Sequence, residues 1–354
     1  MQYRKLPTKL KVFLTIIFII FMAFVLFLSQ KFLDTYWIRI LTLIGIYGIM
    51  AVSLTFINGI TGIFSLGHSG FVAIGAYTAA LLTMSIEQKQ MSFFLKPLIW
   101  PLNSIQLDFL SATIIAGIMA AIFAYLIGYP SLRLTGDYLA ITTLGFGEIV
   151  RILILNMISV TNGPLGLKGL EEYTNIWWAW GWLLVTVLVI GSLVNSSYGR
   201  ALKAIREDPI AAKAMGINVT KHQLMAFVVG AFFAGISGSL YAHWLTTIDP
   251  RPQTVGILLT FNVLIMIVLG GLGSITGAIF GAAAFAILSE WLRIVETPFK
   301  IFGIQVPAIS GMRLLVLSTI FILVMLTWRR GIMGRSELTW DGIYNFFLRL
   351  KRKH

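Results

Sequence analysis

The chain has 354 residues, of which 58% are hydrophobic and only 12% charged, and its mean hydropathy is +0.87. Soluble domains carry about 25% charged residues, so this composition excludes an ordinary water-soluble globule and points to an all-α polytopic membrane protein. The lack of cysteine excludes a disulfide framework, a thiolate metal site and a cysteine nucleophile.

Apolar windows of about 17–25 residues are long enough to cross the hydrocarbon core as helices. Ten are predicted in chain order, near 12–29, 36–57, 60–83, 109–128, 138–158, 177–194, 223–245, 255–269, 274–290 and 311–327. The first follows Arg4, Lys5, Lys9 and Lys11 like a signal peptide. It lacks a small-x-small cleavage site and more spans follow, so it reads as a retained first helix. The third is rich in glycine, and the eighth and ninth share a junction at Gly270, Gly271 and Gly273. Residues 1–335 form the expected membrane domain, with 336–354 as a basic cytoplasmic tail. There Trp340, Ile343, Phe347 and Leu350 share a helical face beside Arg349, Lys351, Arg352 and Lys353, the pattern of an interfacial helix on anionic lipid.

The net charge of +13 follows the membrane rather than a nucleic acid. With a cytoplasmic N-terminus and ten spans, seventeen of the 27 Lys and Arg fall on inner segments and seven on outer loops. Arg39, Arg151 and Arg313 lie within spans. This bias places both termini and the Ser196–His222 loop in the cytoplasm.

That loop holds Arg200, Lys203, Arg206, Lys213 and Lys221 against Glu207 and Asp208. It reads as two short helices. Ser197 is the expected cap of the first, which runs to about Glu207. Asp208 before Pro209 starts the second, since Asp accepts from free N–H groups and Pro has none to leave unpaired. Gly216 supplies the positive φ that closes it. A capped helical pair on a membrane-protein loop implies a soluble partner.

Other motifs carry polar groups into the spans. Gly59, Gly62, Gly67, Gly70 and Gly75 surround Ser65, His68 and Ser69. Such a segment either packs tightly, with His68 satisfied by a neighbour, or breaks within the membrane and lines a pathway. Gly273, Gly277 and Gly281 form one small-residue ladder, and Gly230, Ala234 and Gly238 a second; both read as helix contacts. Glu148 and Arg151 stand three apart on one face, as a neutral structural pair or as a gate. Thr142, Thr143 and Asn156 could add polar lining, and Asn162-Gly163-Pro164 with Gly166 is a tight external turn. His68, His222, His243 and His354 lack metal-ligand spacing, and no nucleotide-binding fingerprint is present. An enzymatic role finds little support.

The stretches GITGIFSLGHSGFVAIGAY, GDYLAITTLGFGEIVRILILN with TNGPLGL, YGRALKAIREDPIAAKAMGINV and GGLGSITGAIFGA resemble the M-type permease subunit of branched-chain amino-acid ABC importers. The match runs in order from about Leu41 to Leu326. The resemblance implies a ten-helix, vitamin-B12-importer-like (type II) fold with inverted repeats. It also implies a homologous permease partner, two cytoplasmic ATPase subunits that bind the ATP, and an extracytoplasmic solute-binding protein, all at the plasma membrane. This chain would then hold no cofactor or metal. The family's ATPase-contact pattern matches Ala211, Ala212 and Gly216, but Ile210 stands where an acid is usual. The expected coupling set is Arg206, Glu207, Asp208, Pro209, Ala211, Ala212, Lys213 and Gly216. The expected pathway or gating set is Ser65, His68, Ser69, Thr142, Thr143, Glu148, Arg151 and Asn156. Relatives of this architecture also carry urea, short amides and other amino acids. An energy-independent carrier or channel is the other transport reading.

Overall fold

Fourteen α-helices are defined among the described residues, which are 7–134, 136–296, 299–301, 304–306, 311–327, 331–334, 336–342 and 344–345 of a computed structural model. They are α1 (Thr8–Phe32), α2 (Thr35–Leu54), α3 (His68–Thr83), α4 (Ile86–Ser92), α5 (Phe109–Ser131), α6 (Asp137–Asn156) and α7 (Ile158–Thr161). There follow α8 (Ile176–Asn195), α9 (Ser197–Glu207), α10 (Pro209–Ala214), α11 (Val219–Leu245), α12 (Ile257–Gly270), α13 (Ile275–Trp291) and α14 (Met312–Thr327). Two small antiparallel pairs join β1 (Leu167–Lys168) to β2 (Thr247–Ile248) and β3 (Phe299–Ile301) to β4 (Ile304–Val306).

Six of the described helical stretches are long and apolar enough to cross a membrane: Lys9–Phe32, Thr35–Ile60, Phe109–Ser131, Asp137–Asn156, Ile176–Asn195 and Val219–Leu245. Two bent pairs raise the number to as many as eight. Helices α3 and α4 meet at 117°, and α12 and α13 at 119°. The expected helix over 60–83 is interrupted. Helix α2 continues as a π-helical turn through Thr55–Ile60, residues 61–67 are not helical, and α3 begins at His68. The glycines at 59, 62 and 67 make this possible, because Gly62 adopts φ +78° and a Cβ at Gly67 would collide with the Thr143 carbonyl.

Helix α11 is the centre of the bundle. Every residue from Gly230 to His243 except Phe232 is buried, and the helix lies against α2, α3 and α5. Lipid tails are as apolar as leucine, so close contact rather than water exclusion must hold these helices together. Small residues permit that contact. A Cβ at Gly75 would strike the Gly235 carbonyl, and one at Gly238 would strike the Val72 carbonyl. Buried hydroxyls add Thr113 Oγ1 to Ser239 Oγ at 2.8 Å and Thr83 Oγ1 to His243 Nε2 at 2.8 Å. Of the Gly273 ladder, only Gly277 and Gly281 serve the helix contact, against Gly270 and Met266 of α12. Gly273 lies in the elbow before α13, with φ +97°.

At the end remote from α9 and α10, β1 pairs with β2, and Asn162 and Gly163 make the expected turn with φ of 61° and 54°. Buried Lys89 donates there to the carbonyls of Leu102 (2.8 Å) and Ile105 (2.5 Å). Asp249 accepts from Arg251 and from Thr254 Oγ1 (2.9 Å). Burial pushes this carboxyl up, but the bonds from Arg251 and Thr254 and the Arg251 charge outweigh it and hold it below the usual carboxylate range.

At the α9 end, residues 331–334 lie on the α12–α13 elbow and 336–342 reach from α13 to α1. Ile332 and Met333 donate to the carbonyls of Leu269 (2.8 Å) and Gly270 (2.9 Å). Glu337 caps α13, accepting from the backbones of Ile275 (2.6 Å) and Thr276 (3.1 Å) and from Thr276 Oγ1 (2.8 Å). Trp340 Nε1 then donates to Thr15 Oγ1 at 2.9 Å, and Lys11 pairs with Asp341 at 2.5 Å. Of the expected interfacial helix, Ile343, Phe347 and Leu350, with the basic residues from Arg349 to Lys353, lie outside the described residues.

Candidate functional site

The Ser196–His222 loop folds as two capped helices, with one correction to its start. Ser196, not Ser197, is the cap of α9: its backbone is extended and its Oγ accepts from Gly199 N at 3.4 Å, while Ser197 is already helical. Asp208 caps α10, with Oδ1 accepting from Ile210 N (2.8 Å) and Ala211 N (3.1 Å), and Pro209 occupies the first turn. Gly216 ends the unit at φ +82°.

The two helices differ in burial. Helix α9 buries Gly199, Leu202 and Ile205, and Tyr198 stacks on His222 while donating to its carbonyl at 2.5 Å. Helix α10 buries only Ala212. Ala211, Lys213 and Gly216 are exposed, and Ile210 and Met215 are each 82% exposed. Two bare apolar side chains on a polar loop were not singled out from the sequence. Only the position of Ile210 in place of an acid pointed that way.

Arg206 ties this loop to the membrane helices. Its Nη1 donates to the Gly59 carbonyl at 3.0 Å, and its Nε and Nη2 donate to Glu207 at 3.1 and 2.6 Å. Its aliphatic stem fills the space where Gly62 lacks a side chain, since a Cβ there would come within 2.7 Å of Arg206 Cγ. A Cβ at Gly59 would come within 2.5 Å of Gly273 N. The end of α2, the broken segment, the α12–α13 elbow and α9 therefore meet at one point around the Arg206 guanidinium.

The break at 61–67 is clothed in side-chain hydrogen bonds, as non-helical backbone at membrane depth requires. Asn58 Nδ2 donates to the Ser65 carbonyl (3.1 Å) and Ser65 N to Asn58 Oδ1 (3.2 Å). Leu66 N donates to Thr143 Oγ1 of α6 and Ser69 N to Thr260 Oγ1 of α12, both at 3.0 Å. Ser65, His68, Ser69 and Thr143 are all buried. The Ser53 hydroxyl donates to the Met50 carbonyl (2.9 Å), which leaves it to accept from His68 Nε2 at 3.2 Å. The buried His68 Nδ1 has no partner among the described residues.

The remaining pathway candidates sit elsewhere on α6. Arg151 Nε donates to Glu148 at 2.7 Å and its Nη1 reaches the Pro250 carbonyl at 3.4 Å. Their side chains stay 21% and 28% exposed. Thr142 and Asn156 bond to carbonyls of their own helix, Tyr138 at 2.8 Å and Ile152 at 2.7 Å, among exposed Ile141, Ile149 and Ile152. The eight residues thus divide between a buried junction and an outward face, not one cluster. No group of three or more metal-ligating side chains occurs among the described residues.

Residues 36–326 match the family model for the branched-chain amino acid transport system permease component. The high-affinity branched-chain amino acid transport system permease protein LivM of Escherichia coli is 34% identical over 319 residues, covering 80% of this chain and 69% of the relative. A probable branched-chain amino acid transport permease protein LivM of Methanocaldococcus jannaschii is 26% identical over 304 residues, covering 76% and 84%. The E. coli permease protein LivH of the same transport system is 26% identical over 344 residues, covering 89% and 98%.

Proposed function

The chain belongs to the branched-chain amino acid transport system permease family, and from that premise we propose that it forms one half of the membrane path of an ATP-driven importer for leucine, isoleucine and valine. A homologous permease is the other half, two ATPase subunits bind the ATP in the cytoplasm, and a solute-binding protein delivers substrate from outside. The ten apolar helical segments cross the membrane as two inverted repeats, with both termini and the Ser196–His222 loop inside. That orientation rests on the Lys and Arg bias.

The observation that carries this reading is the division of labour in the loop. Helix α10 and its C-cap present Ile210 and Met215, each 82% exposed, while α9 is locked through Arg206 to the end of α2. A surface helix joined rigidly to a break in the bundle can convert ATPase closure into rocking of α2, α3 and the α12–α13 elbow. Substrate then passes along the outward face of α6, at the interface with the second permease. Glu148, Arg151, Thr142 and Asn156 on a membrane-spanning helix are costly against lipid, so protein or water must cover that face.

The testing experiment pairs Gly216→Trp with Ile210→Ser/Met215→Ser in the assembled transporter. Both variants should insert normally, lose the co-purifying ATPase and lose uptake. Normal ATPase retention with normal uptake would refute the docking role of α10.

A further inference from the structure

A cavity of about 470 Å³ opens beside the coupling helices, between the last turns of α8, helix α9, the α12–α13 elbow and residues 337–339. Its lining is sorted by chemistry. Lys203 and Arg206 stand at the α9 end. The Lys203 ammonium has no hydrogen-bond or ion-pair partner among the described residues. Glu337 also lines the cavity, but its charge is answered by two backbone N–H groups and the Thr276 hydroxyl at the start of α13. The unanswered charge is therefore positive.

The other wall is apolar and long. Val187, Gly191 and Val194 share one face of α8, and from Val187 to Asn195 that wall runs about 12 Å along the helix. Helix α1 flanks it. Thr339 lines the cavity, and the next residue, Trp340, is bonded to Thr15 near one end of α1. At the other end Trp177 of α8 donates to Gln30 of α1 at 3.0 Å. Between these ties Leu26 is the only buried side chain described on α1, and none of its residues joins the hydrophobic core. Helix α1 is thus tied at its two ends to α8 and to the residue after the cavity's last lining residue, and otherwise stands off the bundle.

A free anion would use only the Lys203 end, and a free amino acid is too short for the wall. A phospholipid uses both. We propose that this cavity seats the head of one anionic phospholipid, its phosphate on Lys203 beside Arg206 and the first part of one acyl chain along Val187, Gly191 and Val194, with the rest of the lipid outside it. Basic pockets between spanning helices at the membrane surface suit such headgroups. The bound lipid joins α8 to α9, so the anionic content of the membrane biases the position of the coupling helices. The lipid's leaflet, but not its binding, rests on the orientation proposed above.

The test is native mass spectrometry and thermal unfolding of the purified full-length chain, titrated with palmitoyl-oleoyl phosphatidylglycerol or phosphatidylcholine. The wild type should retain one phosphatidylglycerol in preference to phosphatidylcholine and be stabilised by it. Lys203→Ala should weaken that binding about fivefold, the share of one cation near an anionic surface, and Lys203→Arg should keep it. Gly191→Trp should exclude the lipid while leaving every charge in place. Lys203 is exposed, so its variants remain informative if Gly191→Trp misfolds. Equal binding of the two lipids, or wild-type binding by Lys203→Ala, would overturn the proposal. So would stabilisation by inorganic phosphate or free leucine equal to that by phosphatidylglycerol, since it would assign the cations to a small solute. Binding is read without transport, so failure here is distinct from failure of the importer reading.

Discussion

Replacing Arg206 by alanine should separate ATP hydrolysis from uptake without unfolding the protein. The guanidinium makes one charge-assisted bond to the Gly59 carbonyl and a pair with Glu207, whose side chain is 63% exposed. A hydrogen bond to a charged group contributes about 1.5–3 kcal/mol, whereas an exposed ion pair adds about 0–1 kcal/mol. The loss therefore falls mainly on the link between α9 and the end of α2. At about 1.4 kcal/mol per decade, molecules moved per ATP should drop roughly ten- to hundredfold. Helix α9 keeps its own anchors, Leu202, Ile205 and the Tyr198–His222 stack, so the fold and ATPase docking should survive. The assay is paired ATP hydrolysis and leucine uptake in proteoliposomes containing all subunits and the binding protein. Arg206→Lys, with a single rotatable ammonium on a flexible stem in place of the planar fork, should retain part of the coupling, and Glu207→Gln nearly all of it. Wild-type molecules per ATP in Arg206→Ala would refute the claim that this bond transmits the motion.

Three further outcomes follow from the geometry. Asp208→Ala removes the two hydrogen bonds that start α10, so about 1 kcal/mol of local stability should go. Hydrogen exchange over 209–215 should rise and ATPase affinity should fall, with α9 unaffected. Gly75→Val forces side-chain atoms into the Gly235 carbonyl; rigid helices on both sides make the cost several kcal/mol, seen as loss of folded monomer on size exclusion in detergent. The Asp249 carboxyl, held below its usual range, stabilises the β1–β2 end above the unfolded carboxylate value of about 3.9, and this is lost as pH falls through its lower folded value. Melting between pH 7 and pH 5 should therefore be insensitive to this group, with the difference between wild type and Asp249→Asn narrowing only at more acidic pH.

Local signals carried much of the architecture. Asp208-Pro209 and Gly216 define a helix by their own backbone chemistry, so α10 was legible residue by residue. Glu148 and Arg151 pair because three residues bring them to one face of a helix. The misplaced cap shows the limit of the same rule. Two serines in succession satisfy it equally, and only the extended backbone of Ser196 decides between them.

What was not legible depends on partners far along the chain. The glycines around 59–67 suggested a break without defining it, because its backbone is satisfied by Thr143 and Thr260 from other helices. Arg206 stands in the expected coupling set, but no local pattern shows that its guanidinium turns inward to a carbonyl 147 residues away. Residues from 336 onward read as a basic tail, but Glu337 finds donors on α13 and Trp340 an acceptor on α1 that no local pattern announces.

The central claim, an ATP-driven permease worked through α10 and Arg206, is tested most directly by leucine uptake into proteoliposomes of the assembled transporter. The account predicts uptake that requires internal ATP and the solute-binding protein, and that is abolished by Ile210→Ser/Met215→Ser. Uptake of equal rate without ATP, or undiminished in that double variant, would contradict it.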